Sequence, residues 1–327
     1  MYPCAVRAVL LLTLTVAGAA RPPAPPTPPP SGFDARTGGA TVVRRPLDAM
    51  VAIRGGLFTM GASAELQSAA LDLCREEIGP RHRPSCNRDV VETEGPQRKV
   101  YVSGFSLDRV EVTVAAYRAC VRAAGCAPGP LTVADSRFLG AGMPVTSVTF
   151  GEAEAYCSWR GARLPTEAEW ERAARGTDGR VWPWGNALRL SAFNHGRFAA
   201  PDDAGGDFVA LIRPDGSDGA TFVSLVGAHP EGVSPEGILD LAGNAMEWTA
   251  DYYRAEPPQT TSTVNPRGPD AGAMRVLRGG SWRQPAFFAR TTYREAAAPD
   301  TRSSEIGFRC ARGGILGPGD SRAIEAR

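Results

Sequence analysis

Seven cysteines constrain this chain more than any other feature of its sequence. Cys4 stands ahead of an apolar run, Ala8 to Ala17, which has Arg7 before it and Gly18, Ala19 and Ala20 after it. That is the pattern of a secretory leader cleaved near Ala19 or Ala20. The run is too short for a transmembrane anchor, which needs about twenty apolar residues. Cys4 precedes the run, so it is wrongly placed to be a lipidated thiol after cleavage. Export, to the periplasm, the cell surface or the medium, puts the other six in an oxidising compartment: Cys74, Cys86, Cys120, Cys126, Cys157 and Cys310. There an even count favours disulfides over metal ligation. Six cysteines allow fifteen pairings. Local spacing makes Cys74–Cys86 and Cys120–Cys126 the simplest two and leaves Cys157–Cys310 as the long-range one.

Behind the leader, RPPAPPTPPP (Arg21 to Pro30) cannot pack and reads as an extended polyproline-like spacer. The chain therefore divides into a signal peptide (1–20), a Pro-rich spacer that suggests a tether (21–48), one folded domain (49–313) and a flexible tail (314–327). With 37 glycines and 28 prolines the domain is expected to be loop-rich with few long helices. Its 36 basic and 35 acidic residues nearly cancel, and no run of five or six like charges appears. A nucleic-acid or anionic-membrane partner is disfavoured, and no membrane span remains once the leader is removed.

Folded sequence begins near Met50 with MVAIRGGLFTMGA, a strand pattern interrupted at Gly55-Gly56. Ser63 to Thr93 is polar and brackets Cys74 and Cys86, which predicts a stapled surface excursion. Lys99 to Val112 alternates as a half-buried strand and turn. Thr113 caps a helix with Val114, Tyr117 and Val121 on one face, ending at Gly125. Two capping boxes follow, Thr149 with Glu152 and Thr166 with Glu169, each opening a short helix. The first carries Phe150, Ala153 and Cys157 on one face. Arg163-Leu164-Pro165 separates the two helices, Gly176 ends the second, and the aromatic turn WPWGN runs from Trp182 to Asn186. Ser191 to Pro235 is irregular and offers Asn194, His195 and Asp218, oxygen ligands of the kind hard cations use. DLAGNAMEW adds Asp240 and Glu247. These two carboxylates have no nucleophile beside them, so a structural calcium site is preferred over acid–base chemistry.

The chain resembles the sulfatase-modifying-factor family, whose best-known member is the formylglycine-generating enzyme. The matching pieces, in order, are FTMG (Phe58 to Gly61), EGPQRKVYVSGFSLDRVEVT (Glu94 to Thr113), PVTSVTFGEAEAYCSWRGARLPTEAEWERAARG (Pro144 to Gly176), WPWGN, GILDLAGNAMEW, RGGSW and GFRC. They span about 260 residues, and all six tryptophans fall inside them. The resemblance implies an α+β, modified C-type-lectin-like fold with little regular secondary structure, stapled by disulfides. It also implies a Cys157–Cys310 pair. Two calcium sites are implied as well. One uses the side chains of Asn194 and Asp218 with the backbones of His195 and Ala220. The other uses Asp240 and Glu247 with the backbones of Leu241, Gly243 and Ala245.

The family's enzyme oxidises a sulfatase cysteine to formylglycine with O2 and a copper ion held by two thiolates, the ligands Cu(I) prefers. The resemblance puts those thiols three and eight residues after the serine of RGGS, where this chain has Gln284 and Ala289. Ser281 still matches a serine of that site, whereas Met246 replaces a tryptophan. Copper is therefore not expected. A histidine-held iron, as in the sulfoxide-forming relative, is not expected either, because His82, His195 and His229 are widely spaced. The preferred reading is a non-catalytic binding module for a protein or peptide, or for a glycan. Its groove would use Ser281, Trp282, Arg283, Gln284, Phe287, Phe288, Arg290, Tyr293 and Arg294, a mix of aromatics and arginines common at interfaces. The alternatives are a copper-dependent or other oxidase on the same scaffold, and an accessory role. Sequence alone does not fix the oligomeric state.

Overall fold

The folded region begins and ends on one sheet. A computed structural model describes residues 48–80, 82–199, 212–255 and 263–314. The leader, nearly all of the spacer and all but the first residue of the tail lie outside them. β1 (Met50–Ile53) is followed by β2 (Gly56–Met60), α1 (Ala64–Ile78), the one-turn α2 (Asp89–Glu92), β3 (Arg98–Val102) and β4 (Phe105–Asp108). β3 pairs antiparallel with β2, and β4 with β1 so that Leu107 lies opposite Val51. Leu107 also lies opposite Ala311 of the last strand, which closes a three-stranded sheet on the other edge of β4. Alternation sets the faces of these strands: Val51, Ile53, Phe105 and Leu107 are buried together.

Ser63 to Thr93 departs from the polar surface excursion expected of it. It contains the longest described helix, α1, capped by Ser63, whose hydroxyl accepts the Leu66 N–H at 3.3 Å. Ala70, Leu71, Cys74 and Ile78 recur at helical spacing and pack with Phe198, Ile212, Phe287 and Phe288. The stripe is narrow and the other faces are polar, so the stretch reads as surface. The staple itself forms, with Cys74 and Cys86 Cα atoms 5.9 Å apart.

α3 (Val114–Arg122) starts at the Thr113 cap and buries Val114, Tyr117 and Cys120, with Val121 only partly covered. Cys126 folds back to Cys120. After the short α4 (Gly129–Val133), both capping boxes appear. Thr149 and Glu152 open α5 (Phe150–Trp159), and Thr166 and Glu169 open α6 (Glu167–Arg175). Every residue of α6 is buried, its charged side chains included. The irregular stretch after it carries a small hairpin, β5 (Gly196–Phe198) with β6 (Ile212–Pro214).

The remaining strands are β7 (Met246–Tyr252), β8 (Arg275–Arg278), β9 (Glu295–Ala297), β10 (Ile306–Gly307) and β11 (Ala311–Gly313). The first four form a sheet in the order β10-β7-β8-β9, with β10 parallel to β7 and Ile306 beside Met246. This sheet packs on α3 and α5 through Trp248, Leu277, Phe308 and Tyr156. Cys157 and Cys310 join α5 to the end of the chain, 5.5 Å between Cα atoms, so all three expected disulfides are present. Among the described residues no helix is long and apolar enough to cross a membrane.

Candidate binding site

The four-stranded sheet floors a pocket of about 460 Å³. Its apolar wall is Met246 of β7, Met274 and Leu277 around β8, and Ile306 of β10, while Arg283, Gln284, Glu295 and Glu305 supply the polar edge. The turn that delivers this edge is RGGSW. Arg278 is buried at the end of β8, donating to Glu171 at 2.7 Å and to the carbonyls of Thr291 and Thr292. Gly279 and Gly280 then turn the chain at φ of 99° and 72°. A side chain at position 280 would be strained there and would meet the Phe288 carbonyl at 2.9 Å, so glycine is required.

Beyond the turn the polar side chains are linked to one another. The Ser281 hydroxyl donates to Glu305 Oε2 at 2.6 Å, and Arg283 Nη1 pairs with Glu305 Oε1 at 3.2 Å. Gln284 bridges the site: its Oε1 accepts the Ser281 N–H at 3.0 Å and its Nε2 donates to Glu295 Oε2 at 2.9 Å. Burial pushes the Glu295 carboxyl up; the Gln284 bond opposes this and the charge of Glu305 adds to it. Neither Glu295 nor Glu305 belongs to a motif legible in the sequence. The only available signal was that they are, with Asp300, the acids of the stretch from Arg278 to Cys310.

Only part of the expected groove gathers here. Arg283 and Gln284 line the pocket and Ser281 backs it, while Trp282 packs against Phe138 and donates to the Ser304 carbonyl. The rest turn inward, which corrects the expectation of a continuous surface. Phe287 and Phe288 pack on α1 with Tyr293 against them. Arg290 makes a two-pronged pair with buried Glu94, and Arg294 pairs with Glu167. An arginine with a buried carboxylate opposite is held in the interior, because separating the pair would strand a charge. Ala289 is likewise buried, in the cluster with Trp182, Trp184 and Ala286, whereas Met246 does face the pocket.

The two sets of calcium candidates differ in what their atoms are free to do. In the first, Asn194 Nδ2 donates to the Phe222 carbonyl and to Asn244, yet its Oδ1 is buried without a partner. Asp218 lies alongside, accepting the His195 N–H at 2.7 Å and the Ala220 N–H at 2.9 Å. A buried oxygen lacking a donor, next to a carboxylate, suits a hard cation. In the second set both oxygens of Glu247 are already taken, by Arg309 and by Trp170 Nε1. Arg309 also donates to the Leu239 and Asp240 carbonyls. A guanidinium thus already neutralises the Glu247 carboxylate, which makes the set the weaker candidate for calcium. Asp240 Oδ2 accepts the Gly227 N–H, and Asp240 shares its burial with Glu111; burial and mutual repulsion raise the Glu111 carboxyl well above its usual range.

Comparison with known proteins gives the same architecture. The profile of the Sulfatase-modifying factor enzyme 1-like domain matches residues 39–313. An inactive C-alpha-formylglycine-generating enzyme 2 from Bos taurus is 40% identical over 186 residues, 54% of this chain and 53% of that one. The chain thus spans about half the length of that relative. A formylglycine-generating enzyme from Thermomonospora curvata is 33% identical over 311 residues, 80% of this chain and 92% of that one. Among solved structures, PvdO from Pseudomonas aeruginosa superposes with a TM-score of 0.58 at 26% identity, covering 80% of this chain and 93% of its own.

Proposed function

The chain belongs to the sulfatase-modifying factor family, and from that premise we propose that it is an exported, non-catalytic member whose pocket binds a group presented by a partner protein or peptide. One observation carries this reading. Gln284, at the position where the resemblance puts a copper thiolate, is hydrogen-bonded at both ends, to Ser281 and to Glu295. The other such position, Ala289, offers a buried methyl group. All six cysteines among the described residues are paired with one another, so no free thiol is available there. These residues do not fit a Cu(I) ion, which favours soft thiolates, and no oxidative step is assigned to the pocket. The similarity to an inactive relative in Bos taurus supports the same reading.

The competing reading, a copper-dependent oxidase, is favoured by the similarity to the Thermomonospora curvata enzyme over nearly its whole length. One assay separates the two. The purified, disulfide-intact protein is offered Cu(I) and a peptide with the sulfatase-type Cys-x-Pro-x-Arg motif under air. The binding reading expects neither stoichiometric copper nor aldehyde; both together would overturn it.

We assign calcium to the first loop set alone. Asn194 Oδ1 and the Asp218 carboxylate would hold it with backbone oxygens of that loop. Bound there, the ion would supply charge to compensate Asp218 and a partner for the orphan amide oxygen, and so fix the segment that packs beside the RGGSW turn.

A further inference from the structure

Four of the buried acids of this protein face an arginine across a close ion pair, and an acid of the pocket does not. Glu94 faces Arg290, Glu167 faces Arg294, Glu171 faces Arg278 and Glu247 faces Arg309. Glu295 has no such partner. The groups acting on it among the described residues are the Gln284 amide, the Tyr293 hydroxyl and the carboxylate of Glu305. The neighbouring cation, Arg283, is committed to Glu305. Among the described residues the pocket therefore carries two carboxylates against one guanidinium, and the uncompensated one is partly shielded from water.

We propose that this pocket takes an organic cation, an ammonium or guanidinium group carried on an apolar stem, with Glu295 as its counter-ion. The inference rests on the binding reading of the pocket and names the class of group it binds. The dimensions suit it: about 460 Å³ admits a long side chain or a small amine but is open enough for the stem to continue outward. The wall that would meet the stem is Met246, Met274, Leu277 and Ile306, two of them thioethers that adapt to an irregular chain. Gln284 sets the counter-ion in place, since its amide holds one oxygen of Glu295 while its own carbonyl is anchored to Ser281. A charge that is half-buried and without an opposite partner gains more from an incoming opposite charge than a fully exposed one does. Recognition should accordingly depend on charge first and stem length second.

The test uses the full, disulfide-intact chain and titration calorimetry backed by amide chemical shifts. Two sources of the same chemistry are offered: the free amines hexylamine and agmatine, and the peptides Gly-Gly-Lys-Gly-Gly and Gly-Gly-Arg-Gly-Gly. Hexanol and Gly-Gly-norleucine-Gly-Gly are the neutral controls. The expected result is binding of at least one cation at millimolar concentration or better, with the matched neutral probe at least about tenfold weaker. Whether amines or peptides bind tighter identifies the source. Glu295→Gln should weaken the cation by about tenfold or more and leave the neutral probe unchanged. Should that variant not fold, Glu305→Gln and the wild-type contrast between charged and neutral probes still decide. Equal binding of neutral and charged probes, no binding of any cation, or an unchanged cation affinity in folded Glu295→Gln would each overturn the proposal. Aldehyde formation in the copper assay would remove the non-catalytic reading without touching this result. A failed cation titration with no aldehyde would remove only this inference.

Discussion

Arg309 grips both oxygens of Glu247 at 2.7 Å, and neither side chain reaches solvent. Burial raises the Glu247 carboxyl, and Arg309 is the main group opposing it. The same guanidinium faces Asp240 and Glu111, so removing it leaves three buried carboxylates facing one another. Arg309→Leu is expected to cost about 3–5 kcal/mol of unfolding free energy. Arg302→Ala, which breaks a partly exposed pair with Glu152, should cost less than about 1 kcal/mol. Urea titrations of both variants check the contrast; comparable losses would mean that the interior pair has no special weight.

Glu77 connects α1 to the site from behind. Its carboxylate accepts the Ala286 N–H at 3.0 Å and the Phe287 N–H at 2.9 Å, just past Gln284. Burial pushes this carboxyl up to about 7 from its ordinary 4.5, against the pull of those two N–H groups. A carboxyl whose folded value lies above its unfolded one contributes stability that is fully present below about 4.5 and is lost as pH rises through about 7. Glu77 should thus cost the protein about 2–3 kcal/mol between pH 5 and pH 8. Glu77→Gln removes that dependence. Asp251, which burial pushes up to about 6, titrates in both proteins, so the difference between them isolates Glu77. Denaturant midpoints at the two pH values, measured for both proteins, should show a smaller gap in the variant; an unchanged gap would exclude the assignment.

What the sequence made legible was local. Thr149 with Glu152 and Thr166 with Glu169 declare themselves within four residues, and both capping boxes form as read. The disulfides were legible because two of the three close short loops and the third was left over. The destinations of the arginines were not. Arg290 and Arg294 sit in a segment that looks like an interface, yet their partners Glu94 and Glu167 lie well over a hundred residues earlier, and nothing in either neighbourhood announces the pairing. Glu295 and Glu305 were missed for the same reason, since β9 and β10 bring them to one pocket only after the sheet has formed. α1 shows the opposite failure: its periodicity was present, but four buried positions on a charged helix read as surface until Phe287 and Phe288 are seen against them.

The disulfides should rank by the loops they close. Cys157 and Cys310 are 153 residues apart, and Cys120 and Cys126 only 6. In the chain-entropy account the first constrains the unfolded chain by about 5 kcal/mol and the second by about 2 kcal/mol. Replacing each pair by alanines and comparing unfolding free energies is the direct check, because alanine leaves no buried hydroxyl to confuse the result. Equal losses would point instead to native packing around the sulfurs, all but Cys126 of which are buried.

The calcium proposed for the first loop set predicts a metal dependence centred on Asn194. Its Oδ1 is buried with no donor to satisfy it, a situation that costs about 1–3 kcal/mol when nothing fills it. A calcium ion bound there and by Asp218 would reverse that cost and, at a hundredfold excess over its dissociation constant, stabilise the fold by about 3 kcal/mol. Adding a chelator should then lower the melting temperature by several degrees, and restoring calcium, but not magnesium, should recover it. Asn194→Ala is expected to melt at the chelated temperature whatever the calcium concentration. Asp240→Asn should keep the full chelator response, because Arg309 already occupies the second set of candidate ligands. If Asp240→Asn lost the response and Asn194→Ala kept it, the ion would sit beside Arg309 after all, and the guanidinium would have to yield to it.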